Sequence, residues 1–161
     1  MNIFHYNTDI GVIGIAEQDG KLTNICFEAD PAPADAIERE TQAIREAHRQ
    51  LVRYFAGELR EFSLPLAPQG TQFLRAVWDQ LRAVAYGRTA TYTQIAARAG
   101  SPRAIRAVGL ACARNPLPFV IPCHRILGAS GKLTGYRGGL ALKQRLLEME
   151  QQHADISLRP G

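Results

Sequence analysis

A short segment rich in proline and glycine, Leu64-Pro65-Leu66-Ala67-Pro68-Gln69-Gly70, separates two parts of the chain that differ in hydrophobic periodicity. Because proline lacks a backbone donor and glycine favours helix ends, no strand or helix is expected to run through this segment. Apolar residues before it first alternate and then recur at helical spacing, whereas those after it recur mainly at helical spacing. We therefore expect an α+β fold with a small N-terminal domain of antiparallel strands and one helix over residues 1–69 and a mostly helical C-terminal domain over residues 70–161.

The N-terminal part begins with two apolar segments of strand character, residues 11–16 and residues 22–27. Asp19-Gly20 lies between them and is typical of a tight hairpin turn, so the two segments are expected to pair as antiparallel strands. Residues 34–56 then carry apolar side chains, among them Ile37, at helical spacing. This pattern predicts one helix, and the glycine that follows it can end that helix.

The C-terminal part predicts a helix-turn-helix. Residues 91–99 have the pattern of a short helix that Gly100 can close. Ser101 followed by Pro102 is typical of a helix start, so a second helix is expected from there to about Arg114. Two helices joined by a tight turn that contains glycine form an arrangement that many DNA-binding proteins use.

The second helix of this pair is predicted to carry different residue types on its different faces. We expect the apolar stripe of Ile105, Val108 and Cys112 to be buried. Small and basic side chains occupy the remaining positions, and they suit a close approach to DNA without reading of its base sequence. These candidate DNA-contacting residues are Arg103, Ala104, Arg106, Ala107 and Arg114.

The charges of the chain are distributed unevenly. The formal net charge is +4, yet residues 80–147 contain eleven Lys and Arg and no Asp or Glu. An ordinary solvated surface mixes both signs, so this basic region favours a polyanionic partner such as nucleic acid. The alternative is a basic face that only solvent covers.

The segment FVIPCHRI, residues 119–126, joins an apolar run to a thiol, a base and a cation. The proline disfavours helix before it, so residues 119–121 are expected to form a short buried strand that ends at Cys123. His124 and Arg125 are neighbours of the kind that lower the pKa of a thiol and make it nucleophilic. A histidine in this role is usually oriented by a carboxylate, and Glu148 and Glu150 are the candidates. The alternative is a buried structural cysteine.

The cysteine content and the N-terminus suggest a cytoplasmic protein. Three cysteines without a secretory signal argue against a disulfide framework, and no apolar run approaches the ~20 residues needed to cross a bilayer. No C-x-x-C pair is present. The alternative of a metal site is limited to His5 and Cys26, which could meet in the N-terminal sheet.

A dense series of motifs over roughly residues 70–150 resembles the O6-alkylguanine-DNA alkyltransferase family. The first motifs are Gly70-Thr71, Phe73, Val77-Trp78, Tyr86-Gly87, Tyr92, Ile95-Ala96 and Arg106-Ala107-Val108-Gly109. The later ones are Asn115-Pro116, Ile121-Pro122-Cys123-His124-Arg125, Gly131-Lys132-Leu133-Thr134-Gly135-Tyr136 and Gly138-Gly139-Leu140. The resemblance implies a small N-terminal domain like ribonuclease H before a helix-turn-helix domain.

The resemblance also implies roles for five residues in the reaction. Cys123 would accept the alkyl group, His124 would act on its thiol through a water molecule, and Glu150 would orient the imidazole. Asn115 would brace the turn before the active-site segment. Tyr92 would crowd the phosphate beside the target nucleotide and help to protonate guanine as it leaves. No metal or organic cofactor is implied, and the thioether product makes each molecule act once.

Further residues are implied to contact DNA or the extruded base. Arg106 would enter the base stack, and Arg125 would join the basic residues named above at the DNA. In the substrate pocket, Tyr136 would line the wall and the backbone N–H of Arg137 would face O6. The carbonyls of Cys123 and Ile126 would accept from the guanine amine. The implied substrates are O6-alkylguanine and O4-alkylthymine in double-stranded DNA, bound by a protein that is monomeric in solution and could bind DNA cooperatively.

Two alternatives to alkyl transfer belong to other functional classes. A damage sensor would bind alkylated DNA without reacting, but it would carry a non-nucleophilic residue where this chain has Cys123. A transcription regulator would need base-reading side chains on its second helix, and the many alanines there disfavour it. One departure from the family pattern affects the pocket: Arg137 stands where a small residue is common, and it could exclude large alkyl groups.

Overall fold

The computed structural model describes residues 1–158, with side chains through Ala154. The chain divides into two compact units, residues 1–69 and the residues from Gly70 onward. The last three residues of the expected C-terminal domain lie outside the described part of the chain. Among the described residues, every helix is too short or too polar to span a membrane.

The first unit is built on a four-stranded sheet in the order β3-β2-β1-β4. Its strands are β1 (Asn2–Thr8), β2 (Gly11–Gln18), β3 (Lys21–Phe27) and β4 (Ile37–Glu38). The first three pair antiparallel, and β4 adds a short parallel edge to β1. At the β2–β3 turn Asp19 and Gly20 have φ values of 53° and 80°, as a tight hairpin turn of this kind requires. The predicted antiparallel sheet is confirmed, and β1 extends it.

One helix, α1 (Gln42–Phe55), contributes Ile44, Leu51 and Tyr54 to the buried core of this unit. It ends in a Schellman motif, because the N–H groups of Gly57 and Glu58 donate to the carbonyls of Tyr54 and Arg53. The helix begins at Gln42, eight residues later than the helix predicted over residues 34–56.

Ile37, expected on the buried stripe of that helix, is 64% exposed and lies in β4. Its N–H donates to the carbonyl of Met1 at 2.9 Å, so pairing with the edge of the sheet replaces the first helical turns. The helix starts only after Thr41, whose side chain accepts from the N–H of Ile44.

In its described residues the second unit contains four α-helices: α2 (Gln72–Arg82), α3 (Tyr92–Arg98), α4 (Ile105–Ala113) and α5 (Leu140–Leu158). Two short strands, β5 (Ala90–Thr91) and β6 (Ile126–Leu127), pair in parallel. The indole N–H of Trp78 on α2 donates to the carbonyl of Ala111 on α4 at 2.9 Å, and both residues are buried. This bond ties α2 to the helix predicted to approach DNA.

Helices α3 and α4 form the predicted helix pair, but α4 begins later than expected. The N–H of Ser101 donates to the carbonyl of Ala96, so Ser101 completes the end of α3 instead of capping α4. Residues 101–104 form a turn, and Ala104 precedes α4 without a side-chain cap.

Two glycines with positive φ allow a test of packing at the turn after α2. Gly100 has φ +81° and open space around an added Cβ, whereas at Gly87, with φ +76°, that Cβ would lie 2.5 Å from the Cβ of Ala154. Gly100→Ala should therefore lower the free energy of unfolding by about 1 kcal/mol, from backbone strain alone. Gly87→Ala should lower it by a further ~1–3 kcal/mol, from overpacking. Chemical denaturation measures both variants, and equal losses would contradict the packing account.

Candidate active site

A cavity of about 540 Å³ lies in the second unit, between the loop before α5 and the helix pair α3–α4. Cavities of this size accommodate small organic ligands. Its walls are mostly apolar and include two thiols and two phenol rings. The lining residues are Tyr92, Ile105, Gly109, Cys112, Ala113, Cys123, Thr134, Gly135, Tyr136 and Arg137.

The segment before Cys123 is a folded loop, which corrects the short strand predicted for residues 119–121. Asn115 holds it from within: its side-chain amide donates to the carbonyl of Ile121 at 2.7 Å and accepts from the N–H of Leu117 at 2.9 Å. Phe119 is buried and has φ +73°, a left-handed conformation that breaks any extended run. The loop therefore delivers Cys123 at a fixed point.

Cys123 begins a single 3-10 turn, Cys123–Arg125, and its thiol faces the cavity while only 6% of the residue is exposed. Burial raises the pKa of the thiol. A hydrogen bond from Asn115 and the positive charges of Arg137 and Lys143 oppose that rise without cancelling it. The expectation that His124 and Arg125 lower this pKa was wrong, because those two side chains are directed to Glu150.

Glu150, on α5, is the centre of a buried network of charges. Its Oε2 lies 2.6 Å from Nε2 of His124, and its two oxygens accept from Nε and Nη2 of Arg125 at 2.8 and 3.0 Å. The N–H of Gly87 donates to Oε1 at 3.2 Å. Of the two carboxylates that the residue pattern left open, Glu150 is thus the one beside the imidazole, while Glu148 is exposed and bonds to Gln144.

The pKa values of this network follow from its contacts. Burial alone would raise the pKa of Glu150, but bonds and charges from His124 and then Arg125 outweigh burial and lower it to about 2. Burial lowers the pKa of His124 against the pull of the carboxylate. The fully buried imidazole of His124 is therefore neutral at rest, while the carboxylate of Glu150 is charged. Arg125 balances that negative charge.

Arg125 does not lie where a DNA contact requires. It is 6% exposed, its Nη1 donates to the carbonyl of Val84 at 2.7 Å, and its guanidinium lies over the ring of Tyr86. The prediction that Arg125 contacts DNA is therefore wrong on geometry. Its charge serves to hold Glu150.

Of the other predicted DNA contacts, Tyr92 is the first residue of α3, and the rest lie on α4 or directly beside it. Arg103, Arg106 and Ala107 are exposed, Ala104 is partly exposed, and Arg114 is exposed at the helix end. Two apolar side chains of the same helix, Ile105 and Leu110, are also well exposed. Ile105 was expected in the buried stripe, but it lines the mouth of the cavity instead.

The pocket residues occupy different positions. Tyr136 lines the cavity, as the resemblance implies, and Ile126 is fully buried in β6, where it pairs with Ala90. The guanidinium of Arg137 donates to the carbonyls of Ala113 and Asn115 at 3.1 and 2.9 Å. It thereby connects the loop before α5 to the C-terminal end of α4, where a cation is favourable.

The sequence did not predict that three further residues, Cys112, Thr134 and Lys143, belong to the site. Cys112, expected to be buried in the core, is half-buried and lines the cavity. Thr134 donates its hydroxyl proton to the Tyr92 oxygen at 3.0 Å, and Lys143 is fully buried with its ammonium 3.2 Å from the carbonyl of Thr134. Lys143 lies three and seven residues before the buried Leu146 and Glu150 of α5, a spacing that could have placed it on the inner face.

The suggested metal pair in the first unit has other contacts. Nδ1 of His5 lies 3.2 Å from Glu38, and Cys26 is buried in β3. No cluster of three or more potential metal ligands occurs in the part of the chain that the structure describes.

Comparison with known proteins identifies the family. Residues 4–68 match the ribonuclease-like domain of 6-O-methylguanine DNA methyltransferase, and residues 72–152 match its DNA binding domain. A methylated-DNA–protein-cysteine methyltransferase of Methanosarcina barkeri is 53% identical over 148 residues, which cover 89% of this chain and 93% of that protein. The enzyme of the same name from Methanosarcina acetivorans is 46% identical over 149 residues, 90% of this chain and 95% of that one.

A solved structure agrees with these relatives. The crystal structure of Mycobacterium tuberculosis OGT in complex with DNA matches with a TM-score of 0.89 and 41% identity, over 98% of this chain and 99% of that chain. The resemblance inferred from the motifs and the α+β fold are both confirmed. The chain belongs to the 6-O-methylguanine DNA methyltransferase family.

Proposed function

We propose that this chain repairs DNA by direct alkyl transfer, and that the group moves from O6-alkylguanine, or from O4-alkylthymine, to the sulfur of Cys123. The observation that supports this most is the thiol of Cys123 in the cavity wall, next in sequence to an imidazole that a buried carboxylate holds at 2.6 Å. A nucleophile, a base and an orienting group are the parts that such chemistry needs.

The thiol is protonated at rest, so the reaction begins with a proton transfer. Nε2 of His124 is engaged by Glu150, so Nδ1 is the nitrogen that takes the thiol proton through a water molecule. The charge of Glu150 stabilises the imidazolium that forms. The thiolate then attacks the alkyl carbon, the bond from that carbon to O6 breaks, and its electron pair leaves with guanine.

Tyr92 supplies the phenol proton to the departing base. His124 then returns the proton that it took from the thiol to the Tyr92 oxygen through water. The balance is therefore one thiol and one alkylated base converted into one thioether and one guanine. A thioether offers no good leaving group to water, so the protein is consumed as it reacts. The proton transfers use side chains of this chain and water.

The exposed face of α4 serves as the surface for double-stranded DNA. A base inside a duplex cannot reach a thiol that lies in a cavity, so the damaged nucleotide must be flipped out, at a cost of a few kcal/mol. Arg106 offsets this cost by entering the space left in the stack, while Arg103 and Arg114 bind phosphates and Ala104 and Ala107 allow close approach. In the cavity, Tyr136 and the backbone N–H of Arg137 contact the extruded base.

The two units are assigned separate domains: an α+β domain over residues 1–69 and the DNA-binding and active-site domain over residues 70–161. The protein works as a monomer in the reducing cytoplasm, where the thiol remains available. The presence of a cysteine at position 123 disfavours the alternative of a non-reactive damage sensor.

Transfer to Cys123 can be detected by mass. After incubation with a duplex that contains O6-methylguanine, the peptide that holds Cys123 should gain one methyl group in place of a hydrogen. Cys123→Ser should abolish the gain and keep the affinity for DNA, because this thiol makes no contact with the exposed face of α4. Cys112→Ser, in the same cavity, is the matched control and should still be methylated at Cys123. A methyl group that stays on DNA in the presence of excess folded protein would refute the proposed function.

Glu150→Gln should slow transfer at least ~10-fold, because a neutral amide stabilises the imidazolium of His124 less well. Glu148→Gln, two residues away on the same helix and exposed, should transfer at the rate of the unmodified protein. Single-turnover kinetics on methylated duplex measure both variants. Equal rates in the two variants would contradict the role of Glu150.

The stability that the Glu150 carboxylate gives the unmodified protein depends on pH, and the Glu150→Gln variant lacks this contribution. The pKa of Glu150 is about 2 in the folded protein and ordinarily 4.5, so the unfolded chain binds the proton first as the pH falls. The stability that Glu150 contributes is therefore complete above pH 4.5 and is lost as the pH falls toward 2. Rates should be compared at a neutral pH at which denaturation shows the variant to be folded.

Arg106→Ala should slow repair of duplex DNA by at least ~10-fold. Base flipping costs a few kcal/mol, and if the arginine offsets ~1.4 kcal/mol of that cost, its removal lowers the population of the flipped state tenfold. The reaction with free O6-methylguanine base, which needs no flipping, should change little. Kinetics on the two substrates give the comparison. An equal loss on both would show that Arg106 acts on the cavity and not on the stack.

A further inference from the structure

Thr134 makes a hydrogen bond to Tyr92 that has no role in the reaction described above. Its hydroxyl donates to the phenol oxygen of Tyr92 at 3.0 Å, across 42 positions in sequence. Both side chains line the cavity that contains Cys123. The bond therefore joins the loop before α5 to the first residue of α3 at the place where the base would bind.

Thr134 is held in place by two further contacts. The ammonium of the buried Lys143 donates to its carbonyl at 3.2 Å, which fixes the backbone. Its methyl group packs against Gly128, where an added Cβ would lie only 2.9 Å from it. With the backbone carbonyl held by Lys143 and the methyl group packed against Gly128, the hydroxyl of Thr134 is directed toward Tyr92.

Tyr92 is fixed from its own side. It is the first residue of α3, directly after Thr91, whose side chain accepts from the N–H of Gln94 while the Gln94 side chain accepts from the N–H of Thr91. This capping box sets the backbone from which the phenol extends. The contact between Tyr92 and Thr134 thus joins two rigid supports and is not an accident of two mobile side chains.

The direction of the bond determines where the phenol proton goes. A phenol has one proton and an oxygen that can accept, so a hydroxyl that accepts from Thr134 keeps its own proton for another acceptor. Burial raises the pKa of Tyr92, and the bond from Thr134 opposes that rise because it stabilises the phenolate. Donation by Thr134 therefore orients the phenol and also makes it a stronger acid.

We infer that Thr134 is a positioning residue of the transfer reaction: it holds the Tyr92 hydroxyl so that its proton is available to the base in the cavity. The inference rests on the proposed function, since it concerns the departure of guanine from the alkyl carbon that Cys123 attacks. When the bond from the alkyl carbon to O6 breaks, the base gains an electron pair and takes the proton that Tyr92 offers. Thr134 then stabilises the phenol oxygen until the proton from His124 returns through water.

Thr134→Val tests the role of the hydroxyl, because it removes the donor and keeps the branched shape. We expect transfer from O6-methylguanine duplex to slow about tenfold, a part of the 10²–10⁴-fold that acid–base catalysis contributes. Thr134→Ser keeps the donor and should restore most of the rate. Iodomethane serves as a second alkyl donor, because iodide leaves without a proton. Methylation of Cys123 by iodomethane should be the same in all three proteins.

A double-mutant cycle with Tyr92→Phe shows whether the effect passes through the phenol. In the Tyr92→Phe background, Thr134→Val should cause no further loss of transfer. The inference is overturned if Thr134→Val transfers at the unmodified rate, if Thr134→Ser is as slow as Thr134→Val, or if the losses add in the double variant. An equal loss with iodomethane also overturns it, because that would place the defect at the thiol. An unmodified protein that leaves the methyl group on DNA would instead refute the proposed function itself.

Discussion

The carboxylate of Glu150 lies in the second unit with almost no exposure, and three partners compensate for its burial: the imidazole of His124, the guanidinium of Arg125 and the N–H of Gly87. A buried charge is tolerated only when bonds of this kind surround it, and removal of one partner from a buried pair costs about 3–5 kcal/mol. The 3-10 turn that begins at Cys123, the middle of α5 and the turn after α2 therefore hold one another in place. The proposed reaction depends on this arrangement because it fixes the imidazole of His124.

The thiol itself is controlled by opposing effects. Burial favours the protonated form of Cys123, while Asn115, Arg137 and Lys143 favour the thiolate. A thiol that ionised fully at rest would react with any small electrophile that reached the cavity. A thiol that ionises only when His124 takes its proton is selective, because a bound base with a suitable leaving group must be present.

Local signals in the sequence predicted much of the fold, since Asp19-Gly20 and Gly100 adopt the positive φ values that their turns need. Features that depend on distant residues could not be predicted. Ile37 joins the sheet because its N–H can donate to the carbonyl of Met1 at the sheet edge. Arg125 is buried because it pairs with Glu150, which lies 25 positions later in the sequence. In the site, Cys123 and His124 follow from one motif, whereas the choice of Glu150 over Glu148 needed the family resemblance. Thr134 has no sequence signal of its own, because its role comes only from the distance to Tyr92.

The link between Arg125 and Glu150 has a consequence for protein synthesis and quality control. Arg125 is made before the ribosome reaches α5, so a chain interrupted before Glu150 has a guanidinium in its interior and no anion to balance it. Because a buried charge without its partner is costly, such a chain should be less stable than the whole protein. The charge balance of Arg125 and the orientation of His124 therefore depend on the same carboxylate, and a chain without α5 lacks both.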